Sequence, residues 1–333
     1  MRKLYLEESK KKSLYFFLLL AIFVALTLLS LCRGQYQISF SEVLDVFFGS
    51  KEGPPAIVLL QIRLPRIIAA TLCGLGLALS GLAIQSLLKN PLASPATLGI
   101  SQGAAFGTAA SILIFGAKPI YTTLSAFIAA LSSSLIILAL AGRRRLSPES
   151  IILAGVALAA LFSSATILCQ YLASETELAM VVFWTFGDVA RSGYSELSIL
   201  AMALLPSALY LFVKRWQLNA TALGEESALS LGVDLERFRI LGVFLASLLC
   251  ALVTAFHGVI AFVGLIAPHL ARKLVGHDHR LLLPLASLSG ALLLLLADTL
   301  ARLAIGSGAL PVGVITSFLG TPTFLLILLR GRR

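Results

Sequence analysis

Uninterrupted apolar runs of about 18 residues or more recur from one end of this chain to the other. Each is long enough to cross a hydrocarbon core about 30 Å thick. A chain made of such runs must satisfy its backbone hydrogen bonds within itself, which helices do. Of the 333 residues, 58% are hydrophobic and 13% charged, whereas a soluble domain carries roughly 25% charged residues. Too few charges remain to cover a water-facing surface. The fold class is an all-α polytopic membrane protein, with residues 1–333 read as one transmembrane domain.

The runs read as ten spans, at 14–32, 62–88, 93–115, 120–141, 150–172, 195–213, 238–257, 260–275, 281–304 and 311–329. The eighth is short and holds Pro268, and its presence decides whether the two termini share a side. Lys and Arg arbitrate, because they gather on the cytoplasmic side. With ten spans and a cytoplasmic N-terminus, 19 of the 26 fall inside. Seven fall outside: Arg33, Lys51, Arg63, Arg66, Lys118, Arg191 and Arg302. Nine spans would move the last cations to the wrong side, so both termini are expected in the cytoplasm. The opening "MRKLYLEESKKKSLYFFLLLAIFVALTLLSL" has the basic-then-apolar order of a secretory signal. Its run is long for one and no A-x-A-like site follows, so it reads as an uncleaved first span.

Two segments between spans carry their own structure. Residues 39–49, "SFSEVLDVFFG", start with Ser-x-x-Glu chemistry and have apolar residues at helical spacing, which predicts a short amphipathic helix on the outer surface. "ATALGEESALSLGVDLERFRI", Ala220 to Ile240, is the longest polar cytoplasmic stretch. Its 220–237 portion reads as one or two short helices broken at Gly232.

Several function classes are disfavoured. The net charge of +10 is spread over short clusters between spans rather than one basic face, so no nucleic-acid surface forms. Cys32, Cys73, Cys169 and Cys250 have no C-x-x-C spacing and read as small packing residues. Small residues recur every fourth position at Ala70/Gly74/Ala78, Gly99/Gly103/Gly107/Ser111, Gly155/Ala159/Ser163 and Gly313/Ser317/Thr321. Such stripes let helix backbones approach closely, within the subunit or at a subunit interface. Mid-span carboxylates of the kind an ion-coupled carrier uses are not evident. Asp298 and Arg302 lie four apart on one helix face, where they can pair. His257 and His269 are isolated in apolar sequence, without a second ligand at metal spacing. "CGLGLALSG" is glycine-rich but lacks the Gly-Lys-Ser/Thr ending of a phosphate-binding loop. The chain is read as no enzyme, and ATP and Mg are expected on a partner rather than as cofactors here.

Arg63 and Arg66 bracket a Leu-Pro step and are followed by some twenty residues without charge. With Arg302 they sit at outer helix ends. Interfacial snorkelling accounts for such residues without any function. A cluster of guanidinium forks facing water equally suits bidentate capture of carboxylates on a docking protein.

Long blocks then carry a resemblance. "RLPR", "SGLAIQSLLKNPLASPATLGISQGAAFG", "ILAGVALAALFSS", "GEESALSLGV", "GVIAFVGLIAPHLARKLVGHDHRLLLP", "LLLLADTLAR" and "LPVGVITSFLGTPTFLLILLR" are similar to the FecCD/BtuC-type permeases, the membrane subunits of type II ABC importers. The resemblance runs from about residue 35 to the end. It implies a ten-helix subunit in a prokaryotic plasma membrane, working as a pair, here a homodimer. Two cytoplasmic ATP-binding subunits and an extracytoplasmic substrate-binding protein complete the assembly. It implies that Arg63, Arg66 and Arg302 receive carboxylates of the binding protein. It implies ATPase coupling through Gly224, Glu225, Glu226, Ala228, Gly232 and Val233, with both glutamates facing the partner. A cytoplasmic gate falls at Ser147, Pro148 and Glu149, where the family more often has small hydroxyl residues. "FWTFGDVA" also departs from the family, and the role of Asp188 stays open. The implied cargo is an iron–siderophore, with haem or cobalamin next. Molybdate or tungstate in the same architecture is the alternative, and a stand-alone secondary transporter is the reading from another class.

Overall fold

The computed structural model describes residues 2–49, 52–142, 147–191, 193–304 and 310–330, with backbone alone for 2–10, 327, 328 and 330. The helices are α1 Arg2–Cys32, α2 Phe40–Phe47, α3 Pro54–Ile57, α4 Leu64–Leu87, α5 Ile100–Phe115, α6 Pro119–Gly142, α7 Pro148–Leu172 and α8 Glu175–Thr185. They continue with α9 Tyr194–Val213, α10 Arg215–Ala222, α11 Glu225–Ser230, α12 Leu235–His257, α13 Val263–Val275, α14 His279–Ala304 and α15 Val312–Arg330. No strand occurs among the described residues.

Seven helices among the described residues are long and apolar enough to cross a membrane: the Lys11–Cys32 part of α1, the run Pro54–Leu87, α6, α7, α9, α12 and α14. Every span read from the sequence coincides with a helix, but three differ from their reading. The second begins earlier, at Pro54, because α3 continues through a π-helical turn, Val58–Arg63, into α4. Pro65 explains that turn. It has no N–H, and its ring clashes with the carbonyl four residues back. The wider turn absorbs this, and the Leu64 N–H donates to Leu59 O, five residues away. The third begins later, at Ile100. Ser94 and Thr97 cap a 3₁₀ turn at Pro95–Leu98, and Gly99 at φ +69° turns the chain into α5. The eighth, α13, has 13 residues, or about 20 Å at 1.5 Å per residue, short of a full crossing. Of two further apolar helices, α5 has 16 residues and α15 has 19.

α2 matches its sequence signal. Ser39 and Glu42 form a reciprocal capping box, while Val43 and Val46 are buried. α8 has no counterpart among the predicted segments. It too is opened by a capping box, between Ser174 and Glu177.

Packing ranks the helices. α4 is 78% buried along its most apolar window, whereas the α1 window is 11% buried. α4 therefore sits at the centre, against α14, α12, α13 and α9. Glycine makes this possible. A methyl group on Gly81 would lie 1.7 Å from the Gly264 carbonyl oxygen of α13. One on Gly74 would lie 2.4 Å from the Gly290 carbonyl oxygen of α14. The small-residue stripe of α5 serves likewise, with Gly107 against Ser125 of α6. These stripes are packing surfaces within the subunit.

Gly81→Ala should force α4 away from α13, destabilising the protein by about 1–3 kcal/mol and lowering its melting temperature in detergent. Gly76→Ala, on the same helix, meets nothing closer than 3.7 Å and should be neutral or stabilising. Equal melting temperatures for the two variants would remove the backbone contact from the account.

Candidate functional site

Three pairs fix the register of α4 against α14 and show that they run antiparallel. Gly74 faces Gly290 where the helices cross. Arg66, eight residues before Gly74, meets Asp298, eight residues after Gly290, at 2.6 Å. At the far end Ser86 Oγ lies 2.8 Å from His279 Nε2. Eight residues of helix span about 12 Å, so the close crossing places Arg66 and Asp298 level with each other.

Asp298 is wholly buried and divides its two oxygens. Oδ1 accepts from Arg66 Nε at 2.6 Å and Oδ2 from Arg302 Nε at 3.1 Å. The arginine side chains are themselves only 10% and 11% exposed. Arg302 also donates to the carbonyl and hydroxyl oxygens of Ser30, which ties α14 to α1. Arg66 Nη2 makes no hydrogen bond and stands 3.7 Å from Asp188 Oδ1. Removing one partner from a buried ion pair typically costs about 3–5 kcal/mol, so Asp298 fixes both guanidinium groups in place.

Arg63 behaves differently. It is 4% exposed and donates to the carbonyl oxygens of Leu31 and Tyr36, closing the connection from α1 to α2. Gly34 leaves room for it, since a methyl group there would lie 2.7 Å from Arg63 Nη2. All three arginines line one cavity of about 340 Å³, together with Gly34, Tyr36 and Ile62. The sequence signalled this cluster by charge alone. It did not signal that Asp298 is shared or that Asp188 stands beside Arg66.

α8 is fastened near the same end. Arg191 donates to the carbonyl oxygens of Trp184, Phe183 and Phe186 at the end of α8, where helix carbonyls run short of partners. Burial holds the Arg191 guanidinium below its ordinary pKa, against the opposing pull of Asp188. The Asp188 N–H donates to His257 O at 2.8 Å and Gly313 N–H to Gly187 O at 3.0 Å. The segment quoted as "FWTFGDVA" thus joins α8, α12 and α15.

The opposite end of α4 carries the second candidate site. The two short helices part at Gly224, whose φ of +122° only glycine adopts readily, and not at Gly232. Gly232, at φ +79°, instead ends α11 and turns the chain toward Asp234, the cap of α12. Ala228 and Val233 are buried, anchoring the elbow. Glu225 is held inward, accepting from Arg239 and standing 3.9 Å from Lys89 Nζ. Glu226 is exposed. Leu223, Leu229 and Leu231 are 72%, 58% and 66% exposed. These three exposed leucines stand on an otherwise polar elbow, and sequence reasoning passed over them.

The gate residues have a local explanation. Ser147 caps α7 by accepting from Ser150 N–H at 3.3 Å, Pro148 sits where a helix tolerates proline, and Glu149 lies in the favourable first turn. The basic residues before them, Arg143–Arg145, lie outside the described residues.

Residues 21–330 match the FecCD transport family. A protein of Methanocaldococcus jannaschii described as a candidate ABC transporter permease is 45% identical over 97% of this chain and 96% of its own. The vitamin B12 import system permease protein BtuC of Salmonella typhi is 39% identical over 98% of both. Among solved structures, an inward-facing conformation of a candidate metal-chelate type ABC transporter aligns with a TM-score of 0.83 and 33% identity, over 95% of this chain and 99% of that one. PsaBC from Streptococcus pneumoniae, at 18% identity and a TM-score of 0.57, shares the fold. The chain belongs to the FecCD transport family, as a multi-pass membrane permease of the ABC-importer kind.

Proposed function

We propose that this chain is the membrane-spanning subunit of an ATP-driven importer of a metal chelate, an iron–siderophore first and haem or cobalamin next. The relatives support both cargo classes, one being a vitamin B12 permease and another a metal-chelate type transporter. Two copies of the chain form the conduit, each with ten membrane segments and both termini in the cytoplasm. The arginine end faces outward. There a binding protein docks by placing carboxylates against Arg66 and Arg302, with Arg63 bracing the cavity from beneath.

The observation that carries this reading is the sharing of Asp298. Asp298 holds Arg66 and Arg302 in a fixed orientation, and with Arg63 the three guanidinium groups outnumber Asp298 and Asp188, which leaves the cavity net positive. A preorganised fork of this kind loses little entropy when it captures a carboxylate. At the inward end, the elbow Gly224–Val233 seats against each of two ATP-binding subunits, which supply ATP and Mg chemistry. Exposed Glu226 and the leucines 223, 229 and 231 make that contact. Glu225 secures the elbow to Arg239 and Lys89. The start of α7, Ser147–Glu149, forms the inner gate, and α7 and α15 tilt to open the path.

Arg66→Glu and Arg302→Glu each place a carboxylate where the partner's carboxylate would arrive. Binding-protein affinity on nanodisc-embedded transporter should fall by about 2–5 kcal/mol in variants that remain monodisperse on gel filtration. For the wild type, raising salt to about 0.5 M should weaken the same complex by screening the long-range attraction that steers the partner in. Unchanged affinity in both variants, with no salt dependence, would overturn the docking role.

Leu229→Asp changes an exposed side chain and should leave the fold intact. It should reduce co-purification of the ATP-binding subunit at least about tenfold, the value of burying one leucine. Full recovery of the complex would move the coupling surface elsewhere.

A further inference from the structure

At the α10–α11 end, α4, α10, α13 and α14 enclose a cavity of about 460 Å³ that is distinct from the elbow surface. Its titratable lining is entirely basic or imidazole: Lys89, His269, Arg272, Lys273, His277 and His279. No carboxylate lines it. Two carboxylates stand beside it. Glu225 pairs with Arg239 and Lys89, and Asp278 accepts from the Asn219 amide and the Arg280 N–H.

The cavity walls are held in place. Gln85, 3% exposed, accepts from Arg272 Nη1 at 2.6 Å while its own amide reaches Leu265 O at 3.3 Å. His279, 4% exposed, is fixed between Ser86 Oγ at 2.8 Å and Asn219 Oδ1 at 2.7 Å. The guanidinium of Arg272 has five N–H donors, and Gln85 takes one. The others, with Lys273 and His277, find no acceptor among the described residues. Lys89 reaches Glu225 only at 3.9 Å, beyond a good hydrogen bond. Arg272, held by Gln85, with the exposed Lys89, Lys273 and His277 around the same concave space, gives the convergent donors and surplus positive charge that suit a tetrahedral polyanion. The volume lies within the range of small-molecule sites and leaves room for an organic substituent on the anion.

We propose that this cavity binds a phosphate group, carried either by free phosphate or by the headgroup of an anionic lipid. Lys89 connects the site to α11, because an anion in the cavity competes with Glu225 for the same ammonium. The inference stands on the cavity alone and does not rest on the docking or coupling roles above.

The test uses the full-length protein in uncharged detergent. Inorganic phosphate and dioctanoyl phosphatidylglycerol are titrated separately while thermal melting is followed. Sodium chloride at matched ionic strength and dioctanoyl phosphatidylcholine serve as references. Native mass spectrometry counts the bound molecules per chain. One or both anions should raise the melting temperature saturably, with one molecule bound. Lys89→Gln and Lys273→Gln, both on exposed side chains, should each weaken that response about tenfold. A response to phosphate identifies the free ion as a ligand, and a response to phosphatidylglycerol alone identifies a headgroup. If the wild type responds to neither beyond its reference, or both variants respond as the wild type does, the site is overturned.

Discussion

The structure depends on how closely α4 approaches its neighbours. A bilayer gives helices little reason to associate through their apolar side chains, since lipid is as apolar as they are. What remains is dispersion between backbones, and that grows only when the backbones nearly touch. Gly74 against Gly290 and Gly81 against Gly264 supply the contact. α4 crosses α14 in one register, and the register decides what meets at either end.

Consequently packing brings the charged groups within reach of each other, and they in turn hold the register. Arg66 and Asp298 lie equidistant from the Gly74–Gly290 crossing, and Ser86 and His279 nearly so on the other side. A one-turn slip, about 5.4 Å, would separate Arg66 from Asp298 and leave a carboxylate buried without a partner. The ion pair thus penalises wrong registers at one end while the hydrogen-bonded histidine does so at the other. Burying Asp298 completely is tolerable only because two guanidinium groups meet both its oxygens. In return it orients the two groups that face the cavity.

The sequence disclosed what is local and withheld what is distant. The spans were legible because apolar runs have a length, and the capping box of α2 because Ser39 and Glu42 are three residues apart. Asp298 and Arg302 were legible as an i,i+4 pair. Arg66 and Asp298 are 232 residues apart, and no periodicity connects them. Arg63 was read with Arg66 because both flank Pro65, yet the π-helical turn swings it toward the α1–α2 connection. α8 was overlooked although Ser174 and Glu177 announce it in the same way as Ser39 and Glu42. Its brevity hid it among longer apolar runs. Gly232 drew attention from Gly224 because both occur in one polar stretch, and only backbone geometry tells that Gly224 parts α10 from α11 while Gly232 parts α11 from α12. The exposed leucines of the elbow were invisible for a related reason: apolar residues in a membrane protein attract no notice until the fold puts them outside.

The same packing limits where such a protein can change shape. Helices whose glycine Cα atoms lie against a neighbour's carbonyl oxygens cannot slide without a clash, which locks α4 against α13 and α14. Shape change costs least where burial is least. α7 meets that condition, with 22% of its apolar window buried against 67% for α14. α15 meets it in part. Gly313 ties its first turn to Gly187, while Phe318, Leu325 and Leu326 farther along are exposed. Gly320 packs on Phe262 and Ile266 midway along the helix, so a tilt of α15 would have to turn about these inner contacts. Its first turn is bonded to Gly187, next to Asp188, which stands 3.7 Å from Arg66, so the segment Gly187–Arg191 is the physical link between α15 and the arginine cavity.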